Sequence, residues 1–101
     1  PAPPQQQQVQ TVMNQAAAHN SASHSDHQDA VTSLVDVTTA LASLNTAVAL
    51  AGDAQVSGAT GVSTRTLEHE MVTHQRNLMR QLAEPGPVAP RGGQLPALPK
   101  I

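Results

Sequence analysis

Residues Ala30–Ala51, AVTSLVDVTTALASLNTAVALA, carry the strongest periodic signal in the chain. Apolar positions recur there in steps of four and three, the a/d spacing of a helix packed against other helices. This set, called the seam below, comprises Ala30, Leu34, Val37, Leu41, Leu44, Val48 and Ala51. The spacing predicts a long helix, and the further apolar residues Val31, Val35 and Leu50 predict packing on more than one side.

The composition predicts that this fold is completed by oligomerisation. None of the 101 residues is Phe, Trp or Tyr, so a single chain buries little apolar area for each side chain in its core. Burial of the seam between copies of the chain would offset that deficit. The lack of cysteine excludes disulfides and thiolate metal sites. A net charge of -2 without aromatic residues argues against nucleic-acid binding.

The segments around the seam predict an all-α fold, either a two-helix hairpin or two extended helices, with Pro-rich arms that are flexible or pinned. Residues 1–8 form a Pro- and Gln-rich arm, 9–83 a helical self-association domain, and 84–101 a Pro-rich tail. Helices are predicted over about 9–19, 26–51 and 63–83, with a loop at 52–62. A capping-box spacing from Ser25 to Gln28 predicts the start of the second helix, and Gly52 its end.

A second apolar stripe lies on the last predicted helix and is expected to close the hairpin. It comprises Leu67, Met71, Leu78 and Leu82. Residues 37–51 are apolar and uncharged but shorter than the roughly 20 residues of a membrane-spanning helix. We therefore interpret them as part of a buried helix and expect membrane contact only through an assembly. No basic region precedes an apolar run, which predicts a cytoplasmic assembly or secretion without a classical signal peptide.

The motifs of common enzymes are missing, so we predict no enzyme, no catalytic residue, no cofactor and no metal. There is no GxSxG, no phosphate-binding loop and no HExxH; His69 and His74 are five residues apart. Histidines change charge near pH 6.5, so clustered histidines at an interface are candidates for a pH switch. The candidates are His19, His24, His27, His69 and His74.

The segment QAAAHN at 15–20, with Thr38 and Thr39 downstream, resembles a region of the small R-body structural proteins, the "killing trait" family. Those bacterial proteins polymerise into coiled ribbons that extend on a pH change and rupture membranes. The resemblance implies a self-assembling ribbon and no catalytic residues. By architecture alone, the needle and inner-rod subunits of type III secretion are similar.

These observations predict a structural subunit that self-assembles into a filament, tube or ribbon. The seam is predicted to carry the self-association, and the partners are copies of the chain or other subunits of the same assembly. The alternative is a helical adaptor or chaperone-like module that stays partly disordered until a different protein supplies the missing surface.

Overall fold

The computed structural model describes residues 4–84, and 86% of them are helical. The helices are α1 (Pro4–Ser23), α2 (Ala30–Ala51), α3 (Asp53–Thr60) and α4 (Thr64–Ala83). No strand occurs within residues 4–84. The prediction of an all-α fold is confirmed.

Helix α2 is the centre of the fold. It packs most extensively on α1, next on α4, and less on α3. Residue 19 of α1 contacts residue 36 of α2, and residue 75 of α4 contacts residue 38. Helix α1 ends close to the start of α2, and α4 begins beside the end of α2, where the Thr64 hydroxyl donates to Asp53. Helices α1 and α4 thus both run antiparallel to α2. The arrangement is therefore three long helices with α2 in the middle, and the predicted hairpin of α2 and α4 is only one half of it.

Helix α1 is longer than predicted and belongs to the core. It begins at Pro4, so residues 4–8 of the predicted arm are helical. A proline is tolerated in the first turn, where backbone N–H groups have no helical partner, and glutamine is a good helix former. Val9 and Ala16 are buried, at 5% and 2% exposure. Residues 1–3 and the predicted tail beyond Glu84 lie outside the described residues.

Helix α2 begins four residues later than predicted. The cap is Asp29, whose carboxylate accepts a hydrogen bond from the Thr32 backbone N–H at 2.8 Å. Ser25 instead accepts from the His27 N–H inside the turn, and the Gln28 side chain donates to Asp36. An aspartate satisfies a free N–H of the first turn as well as a serine does. The capping-box prediction was therefore wrong, whereas the predicted end at Gly52 is confirmed.

The predicted loop at 52–62 contains helix α3. Val56 is fully buried, and this apolar contact holds the short helix against the core. Gly61 ends α3 in the left-handed region with a φ of 74°, and its N–H donates to the Ser57 carbonyl. Helix α4 follows within the predicted range 63–83, and its cap is Ser63, whose hydroxyl accepts from the Thr66 N–H at 3.1 Å.

The core is one cluster shared by all four helices. Its buried members are Val9, Val37, Ala40, Leu44, Ala47, Val56, Met71 and Leu78. Most of these are small or medium aliphatics, so α1 and α4 can approach α2 closely. Leu67 is half-buried beside the cluster. Leu82 is 45% exposed, in contrast to its predicted role in the hairpin, because α2 begins at Ala30 and offers no further turn to cover it.

Among the described helices, α2 alone is long and apolar enough to cross a membrane, judged by length and composition. Helix α2 has 22 residues, whereas the apolar stretch 37–51 that the sequence analysis compared with a membrane-spanning helix is shorter. The core helix of a soluble protein satisfies the same criterion. Here α2 packs between α1 and α4, and its interpretation as a buried helix stays a prediction.

Candidate functional site

The seam does not lie on the free surface of the chain. Val37 and Leu44 are fully buried. The other five seam residues are half-buried against the core. The buried stripe of α2 is instead Ser33, Val37, Ala40, Leu44 and Ala47, rotated by about 50° from the seam at 100° per residue. The sequence pattern thus identified the right helix but gave too little weight to Ala and Ser as contact residues.

The opposite face of α2 is exposed and forms a second stripe with the same four-three spacing. We call it the outer stripe. It comprises Val31, Val35, Thr38, Ala42, Asn45 and Ala49. Val31 and Val35 are 55% and 60% exposed. The stripe contains no charge, and its Thr38 hydroxyl accepts a hydrogen bond from the Gln75 side chain of α4 at 3.0 Å.

Charge is nearly absent from the whole α1–α2 pair. Helix α1 has no Asp, Glu, Lys or Arg, and α2 has only Asp36. That carboxylate accepts hydrogen bonds from His19 of α1 at 2.9 Å and from Gln28 at 3.1 Å. Both bonds lower the pKa of Asp36 from its ordinary value. The one charge of the pair is therefore engaged between the helices, whereas α4 carries five charged residues.

The structure brings together two of the five candidate histidines. The rings of His24, just after α1, and His74 of α4 stack with centroids 3.9 Å apart and 16° between their planes. His74 Nε2 also donates a hydrogen bond to the Ser23 carbonyl at 2.9 Å. His69 is exposed on the wall of the same surface groove, and His27 is exposed in the turn. The remaining candidate, His19, pairs with Asp36.

Partial burial, and then the neighbouring His74, lower the pKa of His24. Within residues 4–84, no three or more His, Cys, Asp or Glu side chains are placed to hold one metal ion. The contact between His24 and His74 therefore offers a change of charge. The sequence contained no signal for the stack, since its two rings are fifty residues apart.

Comparisons with protein-family models, with curated proteins and with solved structures find nothing that matches this chain. The resemblance to the R-body structural proteins and the architectural analogy with needle subunits both stay predictions.

Proposed function

We propose that this chain is a structural subunit that assembles with copies of itself, through helix packing, into a filament, tube or ribbon. The observation that carries the proposal is the outer stripe, an uncharged face with two exposed valines along the central helix. The seam is mostly occupied within the chain, so the outer stripe replaces it as the proposed surface.

The chemistry of this surface favours a second copy as the partner. The cores of protein interfaces are depleted in charged residues. A surface that carries no charge offers a charged partner no complementary group, but it fits another uncharged stripe. The four-three spacing lets two α2 helices pack along their length. Asn45 is a polar position within that pattern, where one asparagine can set the register between helices.

The composition of α1 adds a second surface for packing. Its exposed side chains include Gln6, Gln7, Gln10 and Asn14. Their amide groups can form hydrogen bonds with a neighbouring subunit and carry no charge. A subunit with uncharged surfaces on both α1 and α2 can contact more than one neighbour, as a polymer requires. Helix α4 borders the outer stripe, where Arg65, Glu68 and Arg76 share a groove with Asn45, so its charges would lie at the rim of the interface.

The test is a charge placed in the outer stripe by Val35→Asp. An unpaired carboxylate buried between two chains is costly, so we expect the variant to stay monomeric where the parent forms ordered polymers. Light scattering and negative-stain electron microscopy measure this, at wavelengths away from 280 nm because the chain has no Trp or Tyr.

Asn77→Asp is the matched control, since it adds the same charge to an exposed site on α4. The Asn77 side-chain oxygen accepts from Arg80, and an aspartate keeps that bond. Polymers formed equally by both variants would refute the outer stripe as the interface. A parent chain that remains monomeric would refute self-assembly and favour the adaptor that requires a different protein.

A further inference from the structure

A ring stack and a hydrogen bond tie α4 to the turn between α1 and α2. His24 lies against His74 with ring centroids 3.9 Å apart. His74 Nε2 donates to the Ser23 carbonyl, and Ser23 is almost fully buried at 2% exposure. We call these three residues the histidine clasp. It joins segments that are distant in sequence, and it lies beside Leu78, the last buried residue of α4.

The stacked geometry of the clasp is compatible with two neutral rings but not with two positively charged rings. Two like charges less than 4 Å apart repel each other, and here His74 is half-buried while His24 is exposed. The carbonyl of Ser23 only accepts, so Nε2 of His74 donates the hydrogen in this bond. Burial first, and then the coulombic effect of His74, oppose a positive charge on His24, so acidification weakens the stack and not this hydrogen bond.

Other titratable groups near the clasp do not cancel this repulsion by direct contact. Asp26 of the turn and His69 and Glu70 of α4 line the adjoining grooves, and α2 contributes the uncharged Ser33. None of the side chains of Asp26, His69 and Glu70 forms a hydrogen bond with either ring in the described part of the chain.

The sign of the pH dependence follows from the lowered pKa of His24. The folded state binds fewer protons than the unfolded state, whose histidine has the ordinary value of 6.5. The contribution of His24 to stability is complete above pH 6.5 and is lost as the pH falls through the lowered folded pKa.

We propose that the histidine clasp is a pH-sensitive contact that opens on mild acidification and frees the C-terminal half of α4 from the α1–α2 turn. The α1–α2 pair stays joined, because the hydrogen bond between His19 and the Asp36 carboxylate lies outside the clasp. Release of α4 uncovers Leu78, which is 6% exposed when the clasp is closed. This opening takes place within a single chain and does not require self-assembly.

A distance measurement between α1 and the end of α4 tests this directly. The chain has no cysteine, so Ala17→Cys and Ala83→Cys, both at exposed sites, give two unique positions for spin labels. Double electron–electron resonance should show one short distance at pH 8 and a longer, broader distribution at pH 5. The same distribution at both pH values would overturn the proposal.

His24→Gln in the labelled chain should abolish the shift and keep the short distance at pH 5. His27→Gln, which removes an exposed histidine of the same turn, should leave the shift intact. An equal shift of the distance distribution in His24→Gln and in the parent would also refute the proposal.

Nuclear magnetic resonance titration of the unsubstituted chain keeps the proposal testable if His24→Gln fails to fold. The amide signals of residues 75–82 should change with the same midpoint as the ring signals of His24. Amide signals that stay fixed while the rings titrate would contradict the release of α4.

Discussion

Asp36 shows how one residue can organise a nearly uncharged pair of helices. Its two carboxylate oxygens accept separately, one from His19 and the other from Gln28, and Gln28 also donates to Ser33. One side chain thereby joins α1, the turn and α2. The same bonds that position the turn also hold the carboxylate in its charged form, which gives the residue a measurable pH signature.

We expect Asp36→Asn to flatten the acid limb of the stability profile. The lowered pKa of Asp36 means that the folded chain binds fewer protons than the unfolded chain. The contribution is present above the ordinary value of 3.8 and is lost as the pH falls through the folded pKa. Urea unfolding followed by circular dichroism from pH 5 to pH 2 measures the slope.

Asp26→Asn is the control, because Asp26 is an exposed carboxylate in the turn before α2. Its profile should follow that of the parent chain. A slope that Asp26→Asn changes as much as Asp36→Asn does would show that the bonds to His19 and Gln28 are not its source. This acid limb lies well below the pH range of the histidine clasp, so the two effects separate.

At the scale of elements, the connection between α2 and α4 is set by two glycines with positive φ. Gly52, at 89°, separates α2 from α3, and Gly61, at 74°, ends α3. Between them Gly58 lies inside α3 without a positive φ. Added Cβ atoms would meet nothing within 4 Å at Gly58 or Gly61, so backbone conformation alone distinguishes the two sites.

This contrast predicts opposite effects for one substitution. Gly61→Ala should destabilise the chain by about 1 kcal/mol, because a Cβ disfavours the left-handed region. Gly58→Ala should stabilise it by roughly 0.5–1 kcal/mol, because alanine is the better helix former. Thermal unfolding followed at 222 nm gives both values. Changes of the same sign would mean that α3 does not form as described.

The sequence predicted the elements with strong local signals and missed those that depend on tertiary contact. The boundaries of α4 follow from Ser63 and the apolar stripe, and Gly52 marks the end of α2. Helix α3 has only eight residues and depends on burial of Val56, which no local pattern reveals. The outer stripe could have been found as a second four-three pattern, but its exposure depends on where α1 and α4 pack.

For the whole molecule, the main constraint is a core without aromatic rings. Leu44 is the largest of the fully buried side chains, and Val37, Ala40 and Ala47 surround it along α2. A domain of this size has a stability on the order of 5–10 kcal/mol. Truncation of the Leu44 side chain therefore weakens the packing of all four helices, because they share one cluster.

Leu44→Ala should cost about 2–5 kcal/mol, the sum of lost burial and the cavity that remains. That loss is a large fraction of the whole stability, so we expect the unfolding transition to move to much lower temperature. Leu82→Ala removes the same atoms from a side chain that is 45% exposed and should change stability far less. If the two variants unfold together, the core does not centre on α2, and the outer stripe loses its place as the free face of that helix.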